Sequence, residues 1–300
     1  MTEVTFLGRK IAWLPDGIDW KGDSKQTKAF LERMGCDDSK AVDTPGVKHD
    51  RDPDAPLLEP EAATRHRSLV ALLNYISQDR GELSYASTEL SRTMSRPRVG
   101  DEQGLKRVAR YLRRYPASSI FYGWQCQPEK VEVYTDADWA GCTQTRRSTS
   151  GGLVLYGAHL LAFWSRTQQN VALSSCESEV NALIKGGVEG LGVKHLMQQC
   201  GEDPKLEIRT DASAAQGLCA RQGAGRVKHL TVRQLWAQEK EANGELKIVK
   251  IPRLDNAADM YTHHWTKAEG LKFLNTLSIR RIEITPEPNA MRRLGVSVSG

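Results

Sequence analysis

Apolar and polar positions alternate over Val131–Asp136, with Val131, Val133 and Thr135 on one side and Glu132, Tyr134 and Asp136 on the other. A period of two is the mark of a half-buried strand. Two further runs, Gly151–Tyr156 and His159–Ser165, flank Gly157-Ala158 and predict a hairpin. The period then lengthens. Val180, Leu183, Ile184, Gly187 and Leu191 form one stripe of a long helix over about Ser175–Gln199. Strands are expected at 206–210 and 245–251, helices at 212–221 and 228–242, and a last helix from about Asn256. A three-stranded meander followed by two strands separated by helices predicts an α/β fold, with a five-stranded mixed sheet flanked by helices.

The first 122 residues carry a different pattern and are expected to form a smaller, mostly helical domain after a strand-like start at Val4–Leu7. Ser24 is placed to cap a helix bearing Phe30, Leu31 and Met34, with Gly35 just past its end. A polar, Pro-containing stretch from Asp43 to Pro60 reads as a connecting loop, and helical patterns follow near 63–78 and 82–95. Over 104–115, Leu105, Val108, Ala109 and Leu112 make one apolar stripe. Lys106, Arg107, Arg110, Arg113 and Arg114 fall on the opposite face, with Arg92, Arg96 and Arg98 upstream. Such a face is ordinarily solvated. Five cations without a carboxylate also make it a candidate contact for a phosphate backbone. Pro116 and the turn-like stretch at Gln125–Pro128 mark the expected boundary, giving domains at 1–122 and 128–275. Residues 276–300 are expected to be a loose tail, 285–300 showing no periodicity.

Composition narrows the class without naming it. Three hundred residues with 39% hydrophobic and 26% charged positions fit a globular protein of about two domains. The longest apolar runs, such as Leu69–Leu73, are too short to cross a bilayer, and no secretory signal is evident at the N-terminus. Six scattered cysteines form no Cys-x-x-Cys pair, so neither a zinc site nor a disulfide framework is expected, and reduced thiols in an intracellular protein are. The net charge of +5 is mild.

The chemistry lies in four carboxylates. Asp136 and Asp211 close predicted strands, where ligands of α/β sheets bind, and Asp259 lies one turn into the last predicted helix behind Asp255, the expected N-cap. On the long helix both Glu177 and Glu179 flank the apolar stripe, and periodicity does not choose between them. Ser174 and Glu177 have capping-box spacing, which gives Glu177 a structural task and leaves Glu179 for the acidic cluster. Asp138 is expected to point elsewhere. Carboxylates gathered at a dry sheet edge repel one another, and a divalent cation relieves that repulsion. The set points to metal-assisted hydrolysis of a phosphodiester. His229, His263 and His264 are candidates for assisting proton transfer, set against the more usual structural role of a lone histidine.

Taken together, YTDADWAG at 134–141, RRSTSGG at 146–152, FWSRTQQNVALSSCESEVNAL at 163–183, RTDASAA at 209–215, VKHLTVRQLW at 227–236 and NAADMYTH at 256–263 resemble the ribonuclease H domain of copia-type LTR-retrotransposon Pol polyproteins. The likeness covers about 128–265, in the family's order. Upstream, FLGRKIAW at 6–13, SKAVDTPG at 39–46, HRSLVALLNYIS at 66–77 and LSYASTELSRTMSRP at 83–97 resemble the thumb and connection region between reverse transcriptase and ribonuclease H. The polymerase's Tyr-x-Asp-Asp motif does not occur, which implies a fragment or truncated copy without polymerase activity. Carried over by motif, the metal-binding catalytic residues fall on Asp136, Glu179, Asp211 and Asp259. The last block departs from the family's usual Ile-Leu-Thr-Lys, reading Met260-Tyr261-Thr262-His263.

The resemblance implies an endoribonuclease that cuts the RNA strand of an RNA–DNA hybrid with two Mg²⁺ ions, Mn²⁺ being able to substitute. Its expected partners are the hybrid and the rest of the Pol polyprotein, with no membrane and no small-molecule cofactor. The expected location is intracellular: cytoplasmic virus-like particles, with some nuclear presence. The alternative is a degenerate copy that binds nucleic acid without cutting it. A host protein keeping the fold as an interaction surface has no positive support in the chain.

Overall fold

In the computed structural model, which describes residues 2–35, 40–48, 52, 54–219 and 232–283, each alternating run becomes a strand. The first half contains β1 (Thr2–Phe6), β2 (Arg9–Leu14), β3 (Gly17–Lys21), α1 (Ser24–Met34), α2 (Pro60–Ile76), α3 (Ser84–Ser91), α4 (Asp101–Arg114) and β4 (Ala117–Gly123). The second contains β5 (Lys130–Asp138), β6 (Thr149–Tyr156), β7 (His159–Thr167), α5 (Ser175–Gln199), β8 (Lys205–Thr210), α6 (Ser213–Cys219), α7 (Val232–Ala242), β9 (Lys247–Lys250), α8 (Lys267–Thr276) and β10 (Ile279–Ile282).

The second half has the expected mixed sheet, in the order β7-β6-β5-β8-β9. β5, β6 and β7 pair antiparallel, whereas β8 and β9 add on in parallel to β5. α5 covers one face, packing Val180, Leu183 and Leu191 on Val131, Val133, Leu206 and Ile208. Its closest approach uses smaller residues. Ser178, Ala182, Gly186 and Gly190 are buried at a spacing of four, and a Cβ at Gly186 would lie 2.4 Å from Thr135 Cγ2. Only a residue without a side chain lets the helix axis sit this near β5. The periodicity of larger apolar residues marked the helix but overlooked this row.

The first half departs from expectation by holding a sheet of its own, ordered β1-β2-β3-β4-β10 and antiparallel throughout. Its strands are four to seven residues long, too short for periodicity to declare. The last arrives from far along the chain: Ile279–Ile282 pairs with Ala117–Ile120. Part of the stretch expected to be a loose tail is therefore a strand, and 285–300 lie outside the described residues. The long helices fall where the apolar stripes place them, but the cap of α1 is Asp23 and not Ser24: Asp23 Oδ1 accepts from the Lys25 N–H at 2.9 Å, while Ser24 is the first helical residue. Leu105, Val108, Ala109 and Leu112 of α4 are all buried.

One apolar core spans both halves. Phe30, Leu73, Leu83 and Leu112 belong to the same cluster as Leu153, Leu155 and Leu160 on the sheet face opposite α5. Polar links reinforce the contact: Thr88 Oγ1 donates to the Ser165 carbonyl at 2.8 Å, and the Tyr122 hydroxyl to the Leu160 carbonyl at 3.0 Å. Among the described residues, no helix is long and apolar enough to cross a membrane.

Candidate metal centre

Asp136 and Asp211 are brought together by strand register. β5 and β8 run parallel up to the pair Tyr134–Arg209, and Asp136 on β5 and Asp211, just past the end of β8, each lie two residues beyond it. Glu179 reaches them from the first turns of α5. That helix starts as the capping pattern predicts: Ser174 accepts from the Glu177 N–H at 3.1 Å, and the Glu177 carboxylate accepts from the Leu173 N–H at 2.8 Å. Glu177 is thereby occupied and Glu179 is left facing the other acids.

Asp259 completes the group from an element the sequence misassigned. It sits in a 3₁₀ turn, Ala257–Tyr261, instead of one turn into an α-helix, and Asn256 replaces Asp255 as its cap. Asn256 Oδ1 accepts from the Ala258 N–H at 3.1 Å. Its Nδ2 donates to the Thr135 carbonyl at 3.0 Å and to Asp211 Oδ1 at 3.1 Å. One buried amide thus fixes the turn, the strand end and an acid. An aspartate cap would offer no such donor. The turn also rests on β6, where a Cβ at Gly151 would come within 2.9 Å of the Tyr261 backbone and 2.6 Å of Thr262 Cγ2. The Thr262 hydroxyl donates to Asp136 Oδ2. Sequence reasoning missed Asn256 and Thr262; the only signal was their place in the NAADMYTH block.

Electrostatics register the crowding. Burial, then Asp136, Asp211 and Asp259 in turn, push the Glu179 carboxyl up to about 9. Asp259 is pushed up to about 7 by burial and then by Asp136 and Asp211. Asp136 is raised chiefly by burial, with the Thr262 hydrogen bond opposing. Glu179 Oε2 is buried without a hydrogen-bond partner. Ligand atoms of Asp136, Asp259 and His263 all lie within 4.8 Å of one another. Repelling, desolvated carboxylates with an orphaned oxygen fit the oxygen-donor requirement of a hard divalent cation.

The remaining candidates separate from this centre to different degrees. The Asp138 side chain folds back over Gly141, and its carboxyl, raised by burial, senses Arg92 and Glu89 ahead of Asp136 and His263, so it stands at the edge of the centre. His264 packs edge-on against the Tyr85 ring, 4.8 Å between centroids. His229 lies outside the described residues. On α4, Arg107, Arg110 and Arg114 are engaged by partners in the chain itself. Arg107 donates to Thr44 Oγ1 at 2.8 Å, Arg110 to the Lys40 carbonyl, and Arg114 pairs with Asp43 at 3.1 Å and Glu283 at 2.7 Å. Arg113 is half-buried and Lys106 exposed. Helical periodicity shows which face is polar; it cannot show that the 40–48 segment lies along that face. A groove of about 630 Å³ is lined by Ser150, Arg166, Gln168, Gln169, Asn181 and Lys185 among others. It adjoins the start of α5, since Gln168 Nε2 donates to the Ser178 carbonyl at 2.9 Å.

No family model matches the chain. The Pol polyprotein of transposon RE2 from Arabidopsis thaliana is 28% identical over 299 residues, covering 96% of this chain and 20% of that protein. An uncharacterised mitochondrial protein of the same plant is 32% identical over 194 residues, 61% of this chain and 75% of its own length. Over most of its length the chain is similar to retrovirus-related Pol polyproteins of transposons. It spans about a fifth of the length of the Pol polyproteins it matches. The match to the RE2 Pol polyprotein extends over both halves, the helical segment as well as the acidic centre. Among solved structures, an RNase H1 determined in complex with an RNA/DNA hybrid aligns with 44% of this chain and 93% of its own, at a TM-score of 0.32 and 21% identity.

Proposed function

We propose that this chain is a metal-dependent endoribonuclease that cleaves the RNA strand of an RNA–DNA hybrid. The observation that carries the reading is that four acids from four separate segments act on one another: ligand atoms of Asp136 and Asp259 lie within 4.8 Å of each other and of His263, and Asp136, Asp211 and Asp259 all raise the buried Glu179 carboxyl. Asp136, Glu179, Asp211 and Asp259 would hold two divalent cations, Mg²⁺ by the hardness of their oxygens, with Mn²⁺ able to substitute. Bound there, such ions supply Lewis acidity and a water of lowered pKa for attack on the phosphodiester. The protein's own part is positional. Asn256 holds Asp211, Thr262 holds Asp136, and Gly186 lets α5 bring Glu179 down to the strand ends. The amides of Gln168, Gln169 and Asn181 offer donors and acceptors suited to sugar hydroxyls, with Arg166 and Lys185 for phosphates. This groove supports hybrid binding better than α4 does.

The test is cleavage of a labelled RNA–DNA hybrid with Mg²⁺ by the parent protein and Asp136→Asn. Loss of cleavage in the variant is expected. Equal activity in the two proteins would refute the mechanism, and salt-dependent hybrid binding without cleavage by the parent would select the degenerate, binding-only alternative.

A further inference from the structure

We propose that His263 is a direct ligand of the cation held by Asp136 and Asp259, making this a mixed nitrogen–oxygen centre with a marked preference for Mn²⁺ over Mg²⁺. The inference builds on the metal-dependent reading above, yet it concerns ligation and not cleavage. A ring nitrogen of His263 and one oxygen each of Asp136 and Asp259 lie within 4.8 Å of one another, the span of donors about a single ion. His263 follows the Asp259 turn directly, so one short segment presents both donors. The ring is not committed elsewhere by a good hydrogen bond to its neighbour: Thr262 Oγ1 is 3.5 Å from Nδ1, and that hydroxyl proton is directed at Asp136. The neighbouring Glu179 carries a further unengaged oxygen, although its carboxyl also accepts from the Ala137 N–H. Glu179 Oε2 is buried beside the same acids with nothing donating to it.

Imidazole nitrogen is a borderline donor. It suits Mn²⁺ and later transition ions, whereas Mg²⁺ demands oxygens and retains its waters. An all-carboxylate set discriminates between these ions weakly; adding the His263 ring raises Mn²⁺ affinity selectively.

The experiment uses the full chain, stripped of metal and loaded with MnCl₂. Electron spin-echo modulation of the bound ion reads directly coordinated nitrogen, and calorimetry reads Mn²⁺ and Mg²⁺ affinity in the parent, His263→Ala and His263→Lys. The expected result is nitrogen modulation in the parent and its loss in both variants. Mn²⁺ affinity should fall at least about tenfold, the lower edge of what losing even an outer-shell partner does, with Mg²⁺ affinity changing much less. A parent that binds no Mn²⁺, or binds it without nitrogen modulation, overturns the assignment, and so does unchanged Mn²⁺ affinity in folded variants. Should both variants fail to fold, the parent spectrum decides alone. Nitrogen modulation without hybrid cleavage would sustain His263 as a ligand while refuting the nuclease reading. Cleavage without modulation would do the reverse.

Discussion

Glu179 shows how far one side chain can be displaced by its surroundings. Burial and the neighbouring acids push its carboxyl up to about 9 in the fold, from an ordinary 4.5. The folded state therefore binds the extra proton between those values, and the stability contributed by this group is lost as pH rises from about 4.5 through 9. Metal-free protein should melt at a higher temperature at pH 6 than at pH 9, and Glu179→Gln should flatten that dependence; a rising profile would contradict the assignment. Asp136→Asn should leave the metal-free melting temperature unchanged or higher, because it removes a repelling charge while still accepting from Thr262. A marked drop on thermal denaturation would mark Asp136 as structural. The strand alternation at 131–136 and the cap at Ser174 made Asp136, Glu177 and Glu179 readable from local pattern alone. Asn256 and Thr262 were not readable, because their partners lie 45 and 126 positions away and no local period encodes such contacts.

Among the elements, α5 matters most, since its height above β5 sets the position of Glu179. Gly186→Ala places a methyl 2.4 Å from Thr135 Cγ2, and the helix must lift. The expected loss is about 1–3 kcal/mol by chemical denaturation, with weaker Mn²⁺ binding. Gly192, on the same helix with nothing within 4 Å of its would-be Cβ, is the control. Gly192→Ala should stabilise by about 0.5–1 kcal/mol through helix propensity alone. Equal effects at the two positions would show that close packing is not what Gly186 provides. The long elements, α2, α4 and α5, followed from periodicity because each carries several turns of a one-sided apolar pattern. The short strands and the 3₁₀ turn did not. They are held by pairing with distant partners and, in the turn, by a single side-chain cap.

For the whole molecule, the sequence boundary near residue 122 separates two patterns, yet one of the two apolar clusters runs across it. Leu153, Leu155 and Leu160 are buried in the same cluster as Leu73, Leu83 and Leu112. A fragment lacking residues 1–122 would expose that face of β6 and β7. It should bind a hydrophobic dye and lack a cooperative unfolding transition; a well-folded, monomeric fragment by scattering and calorimetry would refute this.

The pairing of β4 with β10 bears on synthesis as well as on shape. Until Ile279–Ile282 has been translated, one edge of β4 presents a row of unsatisfied amides and carbonyls to any passing strand. A chain truncated just before Ile279 would leave that seam open permanently.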